Sequence, residues 1–181
     1  MRCCGCRLEP AAFRRQDTTS ATTREADRVH IRIVAVGRLR EPYLAAAAKD
    51  FRRRLAPYHR IEELEVRAAD GERPAVVMAL EASAILRGIA PGDQVWLLER
   101  AGTELSSVEL AERVEGLTVN GVSRLTFVIA GTYGAAPELV ARANLCWSLS
   151  RLTLLHEWAR ILVLEQLYRA TKIARNEPYH H

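Results

Sequence analysis

From residue 29 onward the apolar positions of this chain switch repeatedly between a period of two and a period near 3.6. Ile31, Ile33, Ala35 and Val36 make a short β-rich run that ends at Gly37. Leu44, Ala47, Ala48, Phe51 and Leu55 then fall at helical spacing until Pro57 stops the helix. Ile61, Leu64 and Val66 predict a second strand, and Pro74 to Leu86 a helix closed by Gly88. After the turn Pro91-Gly92-Asp93, Val95 to Leu98 reads as a buried strand. Ser106-Ser107-Val108-Glu109 is a capping box, and the helix it opens turns Leu110 and Val114 inward. Leu125 to Ile129 predicts the next central strand, Pro137 to Leu145 a helix, Leu152 to Leu155 the last strand and Glu157 to Ile173 the last helix. Strand and helix in alternation predict an α/β layer architecture, a mainly parallel sheet flanked by helices.

Residues 1–28 do not share this patterning. They are rich in Arg, Thr and Cys, hold no sustained apolar period and lack the apolar stretch of a signal peptide. The expectation is a disordered extension over 1–28 and one domain over 29–181. Cys3, Cys4 and Cys6 have no second pair of Cys or His at finger spacing, and Cys146 is remote, so no metal is expected.

Composition adds bounds. A chain of 181 residues with 49% apolar and 27% charged residues is long enough for one well-buried core. No apolar run reaches the length of a membrane span, and no membrane role is expected. The formal charge is +4, of which +2 falls in residues 1–28. That balance permits a nucleic-acid partner without requiring one. Only Lys49 and Lys172 of the 26 basic residues are lysines, a bias toward the planar fork that suits phosphates and base stacking.

The candidate chemistry lies late in the chain. Ala130-Gly131-Thr132-Tyr133-Gly134 follows a buried strand, where open α/β sheets bind ligands, and glycine there permits close backbone approach or positive φ. It is neither a dinucleotide fingerprint nor a P-loop. Ser148, Ser150 and Thr153 offer hydroxyls in a stretch that fits an ordinary strand equally well. His156 with Arg160, and Glu165 with Arg169, each share a helix face. Trp147 and Trp158 read as packing residues. The chain closes with Asn176-Glu177-Pro178-Tyr179-His180-His181, polar and aromatic where most chains fray.

Taken together, Ile33-Val34-Ala35-Val36-Gly37-Arg38-Leu39, Leu98-Glu99-Arg100-Ala101-Gly102, Phe127 to Gly134, Cys146 to His156, Arg160 to Ala170 and the terminal Tyr-His give a continuous resemblance, from about Ile31 to His180. The chain resembles the ribosomal large-subunit methyltransferase H family, of the SPOUT class, which methylates N3 of a pseudouridine in 23S rRNA with S-adenosyl-L-methionine. The resemblance implies a C-terminal trefoil knot, a homodimer, the ribosome as partner and the cytoplasm as location. Physical rules of chain connection alone point to an unknotted Rossmann-like sheet.

Carried residue by residue, the resemblance implies that Leu98, Ala130, Gly131, Gly134, Leu149, Ser150, Arg151, Leu152, Thr153 and Leu154 hold the cofactor. It implies Tyr179 and His180, supported by Arg169, at the reacting nitrogen. Arg38 and Arg40 after the first strand, and Arg52 and Arg53 on the outer side of the first helix, are the candidate RNA contacts. Ala130 stands where the family usually has glycine, and Leu155 where it often has proline. These departures keep open an alternative, a non-catalytic RNA- or ribosome-binding module of the same fold. A flavodoxin-like nucleotide-binding protein is a third reading, one that owes nothing to Tyr179 and His180.

Overall fold

The computed structural model describes residues 29–179. The expected extension 1–28, and the site candidate His180 with the terminal His181, lie outside the described residues. In chain order the elements are β1 (His30–Val36), α1 (Pro42–Leu55), β2 (Arg60–Val66), α2 (Pro74–Arg87), β3 (Gln94–Glu104), α3 (Ser107–Val119), β4 (Arg124–Ile129), α4 (Pro137–Arg142), β5 (Leu145–Ser148) and α5 (His156–Ala174). Every strand pairing is parallel, in the order β2-β1-β4-β3-β5.

Local signals start the helices where the sequence places them. Proline occupies the first turn of α1, α2 and α4, where its missing N–H has no intrahelical acceptor to lose. The capping box of α3 forms: Glu109 N donates to Ser106 Oγ at 3.2 Å, and Ser106 N donates to Glu109 Oε2 at 2.7 Å.

Strands buried on both faces need helices on both faces. Ile31, Ile33, Ala35, Leu125, Phe127 and Ile129 point into one apolar layer covered by α1, α3 and α5. Val34, Val36, Val66, Val95, Leu97 and Val128 point into the other, covered by α2 and α4. Trp147 is buried against Trp96 and Phe127, at ring-centroid distances of 6.2 and 5.9 Å, as its packing role requires. Trp158 is not a core residue; it is 45% exposed and tilts against Tyr43 at 6.1 Å.

The third strand runs on to Glu104, past its expected end at Leu98, and two further boundaries differ from the sequence-based expectation. The helix from Pro137 ends at Arg142, not Leu145, and the last strand is Leu145–Ser148, not Leu152–Leu155. Asn144 decides the first: its backbone N–H donates to Val95 O at 2.8 Å and its side-chain carbonyl accepts from Val95 N at 2.8 Å, which draws the chain into the sheet. Ser150 decides the second. Its hydroxyl accepts from Leu152 N at 3.1 Å and turns the backbone out of strand geometry, so that Leu152 and Leu155 are exposed in a loop.

Candidate functional site

The carboxyl ends of β1, β3, β4 and β5 meet the N-terminus of α5, and each end departs from regular structure there. β1 ends at Gly37, whose φ of +81° suits glycine, and His156 Nε2 stands 3.2 Å from where a Cβ would be. β4 ends in the turn Ala130 to Gly134, closed by a bridge between Gly131 and Gly134, with Gly134 at φ +88°.

β3 carries a bulge at its end. Leu98 and Thr103 both face Trp147 of β5, so Glu99 to Gly102 loop outward between them. Gly102 lies so close to β5 that an added Cβ would stand 2.5 Å from the carbonyl oxygen of Cys146. The hydroxyl of Ser148 then lies 3.1 Å from both Arg100 O and Ser150 O, joining the bulge to the loop after β5. Leu98, Ala130, Gly131, Gly134 and the loop Leu149, Ser150, Arg151, Leu152, Thr153, Leu154 thus belong to segments that leave one end of the sheet, as a ligand site of an open α/β fold requires.

The first turns of α5 clamp the opposite wall. Arg160 is 1% exposed; its guanidinium donates to the carbonyls of Val36 and Gly37 and pairs with Glu65 at 3.0 Å. Glu157, also buried, accepts from Arg40 N at 2.9 Å and Glu41 N at 3.4 Å. Burial, followed by the charge of Arg160, holds the His156 imidazole below its usual range. At neutral pH it is uncharged.

The C-terminal tail builds a second cluster. Asn176 takes a left-handed turn, φ +51°, and the chain folds back along α5. Glu177 pairs with Lys172 at 2.6 Å and accepts from the Tyr58 hydroxyl at 2.9 Å. Tyr179 donates to Glu165 Oε1 at 2.7 Å, and the Arg169 guanidinium lies 4.2 Å from its ring centroid. Burial, reinforced by the Glu165 hydrogen bond, pushes the Tyr179 hydroxyl up to about 12. It is a donor at neutral pH, not a base.

The sequence matches the family model described as "Predicted SPOUT methyltransferase" over residues 29–180. The chain belongs to the SPOUT methyltransferase family. Among curated proteins it is 43% identical over 153 residues to "Ribosomal RNA large subunit methyltransferase H" of Gloeobacter violaceus, an alignment covering 84% of this chain and 99% of the relative. Relatives of the same name from Moorella thermoacetica and Desulfitobacterium hafniense are 42% and 40% identical at the same coverage. The resemblance seen in the sequence is therefore membership of the methyltransferase H family within the SPOUT class.

Within this SPOUT domain the residues expected in one site fall into separate groups. Arg169 and Tyr179 sit beside Glu165, nine residues along α5 from His156, a rise of about 13.5 Å. One protomer therefore does not bring the tail cluster to the strand ends. The expected RNA contacts also divide. Arg38 is 86% exposed, 3.9 Å from Glu65, and Arg40 has an exposed side chain, both at the carboxyl end of β1. Arg52 pairs with Glu63 at 2.7 Å and Arg53 with Asp50 at 2.6 Å, near the amino ends of the strands. There, with Lys49, Arg60, His30 and His59, they line an open cavity of about 750 Å³.

Sequence reasoning missed Glu81, Glu157 and Arg160 as parts of the site. A carboxylate in the apolar stretch of α2, and a Glu and an Arg on the packed first turns of α5, are the signals that could have found them. Among the described residues no group of three metal-ligating side chains converges, and no helix is long and apolar enough to cross a membrane.

Proposed function

We propose that this protein transfers a methyl group from S-adenosyl-L-methionine to N3 of a pseudouridine in the 23S rRNA of the ribosome, as a cytoplasmic homodimer with a knotted C-terminal half. The observation that carries the reading is identity of 43% running through 99% of a relative named for large-subunit rRNA methylation. The match reaches residue 180, so the Tyr-His terminus belongs to the shared region, and it begins at residue 29, in keeping with a domain over 29–181.

The residues at the strand ends fit the proposed cofactor. Gly131 leaves no room for a side chain, Glu81 Oε2 beside it is buried without a hydrogen-bond partner, and the loop Leu149 to Leu154 offers backbone groups to an adenine edge and ribose. When bound, the group supplies a methyl already activated on sulfonium, so the protein's work is to align the acceptor nitrogen and remove its proton. Tyr179, whose proton is engaged by Glu165, accepts a hydrogen bond from the base or packs on it; Arg169 holds the ring in place and contributes positive charge toward the anion that forms at N3. His180 is the proposed acceptor of the N3 proton. Arg38, Arg40, Arg52 and Arg53 are the proposed phosphate contacts.

The separation of the tail cluster from the strand ends supports the dimer. A two-fold pair lets the tail of one protomer reach the cofactor loops of its partner, and such closed pairs are the commonest oligomers. Mass spectrometry of rRNA from cells with and without the gene tests the whole reading. The mass of one methyl group should vanish from a single pseudouridine in the deletion strain and return on complementation. Unchanged rRNA, together with wild-type protein that binds ribosomes, favours the non-catalytic module.

A further inference from the structure

Glu81 stands on the sheet-facing side of α2 with Val77, Ala82 and Ile85, and is 5% exposed. Its Oε1 accepts one hydrogen bond, from Ala69 N at 3.1 Å. Its Oε2 is buried and accepts none. A carboxylate offers about four lone-pair positions, and a buried one is normally paired with a cation. Among the described residues no Lys, Arg or His forms an ion pair with it. His156 feels its field, yet burial and Arg160 keep that imidazole neutral at pH 7, so it supplies no counter-charge.

The carboxylate lies directly against the glycine turn. A Cβ on Gly131 would stand 2.9 Å from both Cδ and Oε1 of Glu81, so the turn and the anion touch through a backbone that has no side chain. A carboxylate without a counter-charge beside a turn proposed to hold the cofactor favours a ligand that brings the missing positive charge, because Coulomb interactions are strengthened where water is excluded.

We infer that Glu81 makes the cofactor site proposed at the Gly131 turn selective for a positively charged ligand, with its carboxylate acting through the turn backbone as a positioning residue. This rests on the cofactor reading above and adds the residue that recognises charge. The onium end of the cofactor, its sulfonium or its α-ammonium, is the cation.

Calorimetric titration of wild type and Glu81→Gln with three probes tests it. S-adenosyl-L-methionine carries both cations, S-adenosylhomocysteine only the ammonium, and methylthioadenosine neither. Glu81→Gln should weaken S-adenosyl-L-methionine by about 10-fold or more and leave methylthioadenosine within about 2-fold. Homocysteine-analogue binding that falls in step assigns the ammonium; binding that holds assigns the sulfonium. Equal weakening of all three probes, or of none, overturns the inference while the cofactor reading stands. Failure of wild type to bind any of them removes the cofactor reading and the inference with it. Glu81→Asp keeps the charge and covers a glutamine variant that fails to fold: it should retain a preference for the cationic probes, and a uniform loss across all three would assign Glu81 to packing alone.

Discussion

The hydroxyl of Tyr179 donates to Oε1 of Glu165 at 2.7 Å, and the same oxygen accepts from Nη2 of Arg169 at 2.8 Å. One carboxylate thus holds both the terminal aromatic ring and the guanidinium that packs on it at 4.2 Å. Glu165 has the appearance in sequence of half an ordinary i,i+4 pair, worth about 0.3–0.5 kcal/mol on a helix surface. In the fold it orders the tail.

Loss of the tail should therefore affect chemistry far more than folding. Removal of Tyr179 to His181 is expected to leave the melting temperature and cofactor binding nearly unchanged and to cut single-turnover methyl transfer by about 10²-fold or more. His180→Ala should reproduce much of that loss and His181→Ala should not. Glu165→Ala should slow transfer as well, by freeing Tyr179 and Arg169. Near-normal single-turnover rates in the truncated protein would shift the chemistry to the strand-end loops.

Glycine is required at two places for different reasons. An alanine at Gly102 would press its Cβ to 2.5 Å from a backbone carbonyl of β5, which cannot swing aside as a side chain can. Gly102→Ala is expected to cost about 1–3 kcal/mol by forcing the bulge off β5, measured as a lower urea midpoint. Gly131→Val meets the Glu81 carboxylate instead and should abolish S-adenosyl-L-methionine binding at smaller cost to stability. Wild-type affinity in Gly131→Val would place the cofactor elsewhere.

Arg160 joins the end of β1 to α5 through two main-chain carbonyls and Glu65. Arg160→Met keeps much of the volume and takes the guanidinium away from the Val36 and Gly37 carbonyls, a cost of about 2–3 kcal/mol. For a domain of this size that is a melting temperature lower by about 4–12 °C. A melting temperature within a degree of wild type would mean that water replaces the guanidinium.

Acid should destabilise the protein before its carboxylates titrate. The folded-state pKa values of His156 and His30 are both lowered, in each case first by burial and then by a neighbouring arginine, Arg160 or Arg124. Below about 6.5 the unfolded chain binds protons that the folded chain refuses, so stability falls as pH drops from 7 toward 5. His156→Asn should flatten part of this slope in thermal melts, the remainder belonging to His30. An unchanged slope would assign the acid sensitivity to other groups.

The sequence by itself determined the elements whose signals are local. Proline at helix starts, the capping box at Ser106 and the continuous apolar runs of β1 and β4 act within a few residues of their position, and the parallel sheet follows from their alternation. The family likewise was legible in short motifs at the strand ends and in the Tyr-His terminus.

Only the tertiary structure decided what depends on partners distant along the chain. Leu145–Ser148 becomes the last strand because Asn144 finds Val95, 49 residues away, whereas the more strand-like Leu152 to Leu155 finds no ladder. Glu81 and Gly131 are 50 positions apart in sequence and in contact in space, so neither carries any mark of the other. Arg169 and Gly131, both plausible in one site when seen as residue types, lie in different parts of the protomer. Periodicity records which face of an element is apolar; it holds no information on which side chain of another element completes that face.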